Sequence, residues 1–238
     1  AGDWFGEAVA LDQDGDRVVI GAPYNDTQGS GAGEVKVYSW NGSAWSQLGS
    51  TIYGPSTQAG AGVGTSVDIN DAGDKVVFGA TGYAGGSTAK GIVWVYSWNG
   101  SAWVIQDNSN TDLEGGGYLY KFGWRVSFDS DGDRLAISGL GPPTSKGHVE
   151  VYEWSGSTWN QLGSTITGST NYDVLGYGIS LDADGDQVAI GIRGEDGSAG
   201  DGSGAVSIYS WDGSSWSIVG STIEGSVASK GFGGSVSI

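Results

Sequence analysis

The clearest candidates for chemistry are aspartates that recur in short Asp-Gly-Asp turns. Three of these turns carry aspartates at alternating positions, and these are Asp12, Asp14 and Asp16, then Asp129, Asp131 and Asp133, then Asp182, Asp184 and Asp186. A fourth turn has Asn70 and Asp74. Carboxylates are calcium ligands, but Ca²⁺ takes about six to eight oxygens and each turn supplies only two or three. Glycine at this position is also typical of a tight turn with positive φ and solvated aspartates. The sequence favours this hairpin, so no cofactor is expected, and a weak calcium site is the alternative.

Catalytic chemistry has few candidate residues. The chain has no cysteine and only one histidine, His148, which excludes thiol nucleophiles, cysteine-bound metals and multi-histidine metal sites. The four arginines are Arg17, Arg125, Arg134 and Arg193. Arg17 and Arg134 occupy the same turn position in different repeats, so we expect them to lie far apart. The sequence therefore predicts a protein that is not an enzyme, with a glycosidase as the distant alternative.

Aromatic residues in loops of variable length are the candidates for ligand binding, because loops on a rigid scaffold usually carry binding functions. They are Tyr24, Tyr83, Tyr118, Tyr120 and Tyr172, together with Trp4 and Trp124 beside two repeat starts. The other tryptophans recur at two fixed positions of every repeat, which is typical of packing between repeats. They are Trp40, Trp98, Trp154 and Trp211 at one position and Trp45, Trp103, Trp159 and Trp216 at the other.

Composition excludes several classes of protein. The 238 residues include 46 glycines and carry a formal net charge of −17. Such a charge opposes binding to nucleic acid and to anionic lipid surfaces. No apolar run approaches the roughly 18 residues of a membrane-spanning helix. We therefore expect neither a nucleic-acid partner nor membrane insertion.

The chain is built from four repeats. Each begins at an aromatic or apolar residue followed by glycine, and these starts are Phe5-Gly6, Val63-Gly64, Phe122-Gly123 and Tyr177-Gly178, with a fifth at Phe232-Gly233. A β-branched run follows each Asp-Gly-Asp turn, and a Val-x-Val-Tyr-x-Trp type run precedes a second short turn. Alternating and β-branched segments separated by such turns predict strands.

Each repeat is predicted to form a four-stranded antiparallel meander, and radial repetition of such meanders is typical of a β-propeller. The fold class is therefore all-β, with four complete blades and one surplus strand. The blades are expected at about residues 5–62, 63–121, 122–176 and 177–231 of a single domain or segment spanning 1–238. Residues 232–238 would supply the first strand of a further blade.

The Phe-Gly start and the sequence Gly21-Ala22-Pro23 at the end of the second strand resemble the FG-GAP repeat. That repeat forms the blades of integrin-α-like β-propellers and of many secreted proteins. The resemblance implies an extracellular or cell-surface protein, and in that family acidic loops between the first two strands often bind calcium. The turns here are shorter than those loops. They are also similar to the Asp-box of sialidases, but the arginine cluster of a sialidase is not expected.

These features predict a non-enzymatic extracellular structural or adhesion module, part of a larger repeat protein or surface assembly. The alternative is a lectin that binds glycans through aromatic loops. An unpaired first strand would seek other chains or further repeats of the same chain as partners. Three sequons for N-glycosylation begin at Asn25, Asn41 and Asn99, and Asn25 lies in a variable loop.

Overall fold

The computed structural model describes residues 2–54, 58–83, 89–106, 113–116, 121–141 and 145–238. The described residues form strands, turns and bends, and none of them is helical. No helix in this part of the chain therefore has the length and apolar character required to cross a membrane.

The strands form four antiparallel sheets, one for each repeat. The first blade contains β1 (Ala8–Leu11), β2 (Arg17–Ala22), β3 (Glu34–Trp40) and β4 (Trp45–Gln47), and the second contains β5 (Val63–Ile69), β6 (Lys75–Ala80), β7 (Ile92–Trp98) and β8 (Trp103–Ile105). The third blade contains β9 (Phe122–Phe128), β10 (Arg134–Gly139), β11 (His148–Trp154), β12 (Trp159–Gln161) and β13 (Ile166–Thr167). The fourth contains β14 (Leu175–Leu181), β15 (Gln187–Ile192), β16 (Ala205–Trp211), β17 (Trp216–Ile218) and β18 (Ile223–Glu224). The predicted β-propeller of four-stranded meanders is confirmed, and β13 and β18 are short continuations that pair with β11 and β16.

The repeated tryptophans close the hairpin between the third and fourth strands. Trp40 lies opposite Trp45 in the strand register, and their ring centroids are 5.6 Å apart. The equivalent pairs of the other blades are separated by 5.3, 5.4 and 5.5 Å. In the second blade the Trp103 Nε1 also donates a hydrogen bond to the Leu48 carbonyl of the first blade, at 2.9 Å. The tryptophans therefore support both the hairpins and the contact between blades.

Successive blades are joined through their first strands. The strand β5 packs on β1 and β2, β9 packs on β5 and β6, and β14 packs on β9 and β10. Backbone contact is very close at these seams. Gly91 has φ +79°, and a Cβ atom there would lie 2.2 Å from the Phe122 carbonyl oxygen. Equivalent contacts occur at Gly33, Gly147 and Gly204, so a side chain at this position would force the blades apart.

The fourth repeat begins two residues earlier than the sequence predicted. Strand β14 starts at Leu175, and Gly176 adopts the positive φ of the glycine that opens each other repeat. A parallel bridge between Gly147 and Leu175 matches the bridge between Gly91 and Phe122. The predicted start at Tyr177-Gly178 is therefore wrong by one alternation of the strand. As a result, the sequence pattern makes Tyr177 the first residue of the repeat, whereas it is the residue that follows the opening glycine.

Residues 232–238 occupy the place of a first strand against the fourth blade. The Phe232 N–H donates to the Ser203 carbonyl at 2.9 Å, and Phe232 forms a parallel bridge with Gly204. The Ile238 N–H donates to Ser180 Oγ at 3.3 Å. These contacts repeat those that join the earlier blades, so the segment packs in the frame of a fifth blade. It pairs only through the single bridge at Phe232 and does not form the predicted strand.

The first blade presents an uncovered apolar face. Val9 and Leu11 are 61% and 58% exposed, whereas the equivalent Val67 and Ile69 of the second blade are 9% and 5% exposed. The difference arises because the second blade buries this face against the first blade, whereas nothing in the described chain covers the corresponding face of the first blade. The face surrounds a cavity of about 560 Å³ that also includes Phe5.

A half-buried carboxylate spans one of the seams between blades. Asp68 on β5 accepts hydrogen bonds from the backbone N–H groups of Ile69, at 2.9 Å, and Phe128, at 2.7 Å. Burial raises the pKa of Asp68 to about 6, and the two hydrogen bonds oppose that shift only in part. The hydroxyls of Ser127 and Ser180 accept the matching bonds at the next two seams. An uncharged serine hydroxyl is therefore sufficient to accept this hydrogen bond between blades.

We expect the replacement Asp68→Ser to weaken the pH dependence of stability. The folded-state pKa of about 6 exceeds the roughly 3.9 of an unfolded aspartate, so the protonated carboxyl stabilises the fold below about pH 4. That stabilisation is lost as the pH rises through 6. The wild type should therefore gain on the order of 1–2 kcal/mol more than the variant between pH 7.5 and pH 4.5, by urea unfolding. Identical pH profiles for the two proteins would contradict this role of Asp68.

Candidate functional site: a pocket between the four blades

A pocket on the face of the variable loops is formed by all four blades. Its volume is about 410 Å³, and we call it the inner pocket. The first blade and the segment before it contribute Trp4, Glu7, Pro23, Tyr24 and Gly31, and the connection to the second blade contributes Gly60 and Gly62. The second blade contributes Thr65, Thr81 and Gly82, the third Trp124 and Arg125 with Lys121 directly before them, and the fourth Tyr177. The first strands of successive blades pack on one another along the inner edge of the row of blades, which we call the inside of the arc. A cavity in contact with every blade must lie there. Such clefts between repeated elements are common ligand sites.

One repeat position supplies a residue of the inner pocket from every blade. It directly follows the glycine that opens each repeat, and its occupants are Glu7, Thr65, Trp124 and Tyr177. Those glycines have φ values between +83° and +94°, a conformation that other residues seldom adopt. The glycine therefore holds the backbone in one geometry while the next residue differs in every blade. This arrangement places an acid, a hydroxyl and two aromatic rings around a single cavity.

Two exposed aromatic rings form one wall of the pocket. Trp4 and Tyr24 meet edge to face, with ring centroids 4.6 Å apart. They are 55% and 51% exposed, and Trp4 has a positive φ of 54°. Two backbone hydrogen bonds hold this segment, from the Glu7 N–H to the Trp4 carbonyl and from the Tyr24 N–H to the Asp3 carbonyl. The pair is therefore held at the pocket despite its exposure to solvent.

Cations and rings form a row at the pocket, in which Lys121, Trp124, Arg125 and Tyr177 belong to the lining and Arg193 lies behind Tyr177, outside the lining. Trp124 and Tyr177 lie 5.6 Å apart between ring centroids. The Arg125 guanidinium lies 5.0 Å from the Trp124 centroid, and the Arg193 guanidinium lies 4.6 Å from that of Tyr177. The Lys121 ammonium lies 5.9 Å from the Trp124 ring. Three of the ten basic residues in a strongly acidic chain therefore gather at this aromatic pair.

The guanidinium of Arg125 is half-buried at this site. Its Nη1 donates to the Trp124 carbonyl at 2.9 Å. Burial lowers the pKa of Arg125, and the nearby Tyr177 and Glu7 partly oppose that shift. Among the described residues, no carboxylate lies within 4.0 Å of the Lys121, Arg125 or Arg193 side-chain nitrogens. The inner pocket therefore presents positive charge that the described chain does not neutralise by an ion pair.

The predicted ligand-binding aromatics have different outcomes. Trp4, Tyr24 and Trp124 do meet at the inner pocket. Tyr83 is partly buried and packs edge to face on Trp94, with centroids 5.5 Å apart, against the core shared by the first two blades. Tyr172 is exposed and lies outside the lining of the pocket. Tyr118 and Tyr120 lie outside the described residues.

Sequence reasoning missed Glu7, Thr65, Arg125 and Tyr177. The residue after each opening glycine differs between repeats although the glycine itself is constant, and this variation could have indicated the site. It is hidden in the fourth repeat because the sequence pattern places the start of that repeat at Tyr177. The two clustered arginines, Arg125 and Arg193, lie in unrelated elements, β9 and the β15–β16 loop, so their spacing in the chain gives no indication of their proximity.

The Asp-Gly-Asp turns have a structural explanation. In each turn the first side chain accepts a hydrogen bond from the start of the second strand, as when Asp129 Oδ1 accepts the N–H groups of Asp133 and Arg134 at 3.0 and 3.1 Å. Asn70 and Asp182 do the same, and Asp12 accepts from Arg17. Burial raises the pKa of Asp129 to about 6, and Asp133 adds to that shift. These carboxylates therefore serve the turn itself.

The same turns also link neighbouring blades. The Asp71 N–H donates to the Ser130 carbonyl at 3.1 Å, and the Ser130 N–H donates to the Ala183 carbonyl at the same distance. The basic residue after each turn reaches the next one, as Lys75 Nζ does to the Asp131 carbonyl at 2.7 Å and Arg17 Nη1 to the Gly73 carbonyl at 2.8 Å. Arg17 and Arg134 are therefore accounted for by contacts between blades and lie in separate turns.

The turn donors do not fit the calcium loop of the integrin-like repeats. One oxygen of the first side chain already accepts backbone hydrogen bonds, and the carbonyl of the third aspartate accepts the N–H of a tryptophan, at 2.7 Å for Asp16 and Trp40. Among the described residues no cluster of three or more acidic or histidine side chains is placed to hold a metal ion.

The sequons differ in accessibility. Asn25 is buried, and its Oδ1 accepts the Thr27 N–H at 2.9 Å. Asn41 and Asn99 are exposed at hairpin turns, where each Oδ1 accepts hydrogen bonds from the following serine. The variable-loop sequon at Asn25 is therefore less accessible than the two turn sequons.

We expect calcium to leave the stability of the protein unchanged. Differential scanning calorimetry in about 5 mM CaCl₂ and in EDTA should give the same Tm, because the aspartate oxygens already serve the turns. MgCl₂ at the same concentration is the control for ionic strength. A rise in Tm with calcium alone, lost in the variant Asp129→Asn, would show instead that a turn binds the metal.

Comparison with known proteins agrees with this architecture. A family model of the FG-GAP repeat matches residues 1–38, which span the first blade from its opening glycine into β3. No curated protein matches the chain.

Solved structures with similar folds include hydrazine synthase of Kuenenia stuttgartiensis, at 15% identity and a TM-score of 0.54, over 89% of this chain and 53% of that one. A periplasmic gluconolactonase of Pseudomonas aeruginosa aligns at 13% identity and a TM-score of 0.54, over 94% of this chain and 58% of the other. TolB of Acinetobacter baumannii aligns at 12% identity and a TM-score of 0.50, over 89% and 42%. The chain thus spans about half the length of these proteins, and at such identities the likeness concerns the fold alone. The chain is an all-β propeller structure whose first repeat matches the FG-GAP family, as its Phe-Gly and Gly-Ala-Pro motifs indicate.

Proposed function

We propose that the protein is a non-enzymatic extracellular adhesion module that binds glycans in the inner pocket. The observation that carries this proposal is the single repeat position at which four identical backbone frames direct Glu7, Thr65, Trp124 and Tyr177 to one cavity. A frame that served packing alone would favour the same residue in every blade. Different residues around a shared cavity are what recognition of an asymmetric ligand requires.

The aromatic wall favours a sugar as the ligand. Tyrosine and tryptophan combine a flat apolar surface with a polar group, which suits the C–H faces and hydroxyls of a pyranose ring. Trp4 and Tyr24 provide exposed rings, and Thr65 and Glu7 provide hydrogen-bonding groups nearby. This combination supports the glycan-binding form of the module over a purely structural one.

The proposal of a non-enzymatic role rests on the groups that line the pocket. Glycoside hydrolysis usually uses a pair of carboxylates, and Glu7 is the one carboxylate among the described lining residues. His148 is buried against Phe122, with the rings nearly parallel and 6.2 Å apart, and burial lowers its pKa. Extracellular placement is proposed from the FG-GAP repeat, which is typical of extracellular proteins.

We expect glycan binding to depend on the exposed aromatic wall. On a glycan array of neutral and acidic sugars, the variant Tyr24→Ala should lose about tenfold or more in apparent affinity, which corresponds to about 1.4 kcal/mol. Tyr172→Ala is the matched control, because Tyr172 is similarly exposed but lies outside the lining of the pocket. Absence of binding by the wild type to every sugar, or equal loss in both variants, would contradict the proposed function.

A structural role in a larger assembly is the second candidate, and the uncovered face of the first blade favours it. The residues Val9, Leu11, Val18, Ile20 and Tyr38 present there the kind of surface that blades two to four bury against a neighbour. Apolar patches of this type commonly mark interaction sites. The partner proposed is a further blade of the same kind, from another chain or another repeat.

We expect the isolated chain to associate through this face at high concentration. Sedimentation equilibrium should show self-association of the wild type that the variant Leu11→Asp abolishes, because a charge there opposes burial. Val104→Asp, which alters an exposed valine of the second blade, is the control. A wild type that stays monomeric throughout the concentration range would contradict the assembly role.

A further inference from the structure

We propose that the ligand of the inner pocket is an anionic saccharide, in which carboxylate or sulfate groups accompany the sugar rings. This inference rests on the proposed glycan-binding function and deepens it. The row Arg125–Trp124–Tyr177–Arg193, with Lys121 beside it, carries the argument.

The distribution of the basic residues makes this row unusual within the chain. Of the ten lysines and arginines, three form ion pairs with glutamates, and these are Lys36, Lys90 and Arg134. Three others donate to backbone carbonyls that hold the fold, and these are Arg17, Lys75 and Lys146. Of the remaining four, Lys121, Arg125 and Arg193 gather at the Trp124–Tyr177 pair. Three of the four basic residues outside these two groups in the described structure are therefore found at one aromatic pair, and Lys230 is the fourth.

The charge at the pocket is opposite to that of the protein as a whole. The net charge of −17 repels anions at a distance, so an anionic ligand requires a local cluster of positive charge. Glu7 is the carboxylate that faces Arg125, and it balances one of the three cations. Within the lining, Lys121 and Arg125 outnumber Glu7, and Arg193 lies next to Tyr177. Planar guanidinium groups match carboxylate and sulfate oxygens.

The aromatic groups favour an acidic sugar over other anions as the ligand. The rings of Trp124 and Tyr177 hold the guanidinium groups in place by cation–π contact, which leaves their N–H edges as donors. Trp4 and Tyr24, on the other wall, are free to stack on a sugar ring. A ligand that satisfies both walls carries a negative charge on one side and an apolar ring face on the other. Acidic sugars have this chemistry, whereas an acidic peptide would use the cations alone.

Calorimetric titration with matched acidic and neutral sugars tests this inference. The probes are oligogalacturonate and its full methyl ester, and a sulfated galactan oligosaccharide and its desulfated form. We expect at least one acidic sugar to bind roughly tenfold or more tightly than its neutral counterpart, with the difference decreasing at high salt. Carboxylate and sulfate sources are distinguished by which acidic probe shows the preference.

Variants of Arg125 and Arg193 test whether the preference for acidic over neutral sugars arises from these arginines. Arg193→Gln, at an exposed side chain, should reduce the preference for the acidic sugar several-fold, and Arg125→Gln should reduce it further. Lys75→Gln removes a charge at the Asp-Gly-Asp turns, outside the lining of the inner pocket, and is the control for net charge. Since Arg125 is half-buried, circular dichroism and Tm establish that its variant is folded, and the Arg193 variant tests the same inference independently.

Three results would overturn the inference. Equal binding of acidic and neutral sugars would remove the anionic requirement while leaving the glycan-binding function intact, provided that Tyr24→Ala still weakens both. Failure of both acidic probes to bind, with neutral sugars bound on the array, would likewise remove the anionic requirement and leave the glycan-binding function intact. Tight binding of oligo-aspartate that is insensitive to Tyr24→Ala would instead identify an acidic peptide as the ligand.

Discussion

The close backbone contact between successive blades is the constraint on which the rest of the structure depends. At each seam a glycine with positive φ lies so near the next blade that its missing Cβ would meet a carbonyl oxygen at about 2.1–2.3 Å. Hydrogen bonds such as that from the Phe122 N–H to the Lys90 carbonyl fix the two neighbouring segments of the chain in one register. Because every seam has the same geometry, every first strand is presented to the inside of the arc in the same way. The inner pocket is a consequence of that repetition.

The repetition divides the molecule into a constant face and a variable one. The Asp-Gly-Asp turns recur with nearly the same hydrogen bonds in each blade, and their basic neighbours tie each turn to the next. The opposite face holds the loops of differing length and the residues that differ between blades. Arg17, Lys75 and Arg134 lie at the turns, whereas Lys121, Arg125 and Arg193 gather at the Trp124–Tyr177 pair on the variable face.

Much of the fold could be predicted from the sequence because its signals are local and repeated. Glycines at turns, alternating apolar residues and paired tryptophans each specify a short element, and four copies of each outweigh an ambiguity in any one copy. The exception is the fourth repeat, where Leu175-Gly176 lacks the phenylalanine of the first, third and fifth starts and the adjacent Tyr177-Gly178 resembles an aromatic start. Backbone dihedrals and the bridge to Gly147 resolve this ambiguity, and local sequence could not.

The sequence by itself determined the all-β class, the repeat, the hairpin turns and the family that the first repeat resembles, because these depend on contacts within a few tens of residues. It also identified Trp4, Tyr24 and Trp124 as binding candidates, since they depart from the repeat. Only the tertiary structure decided which residues share a cavity. Arg125 and Arg193 meet the same aromatic pair although 67 positions separate them in the sequence. Their proximity arises from the stacking of whole blades, and that stacking is a property of the assembled arc.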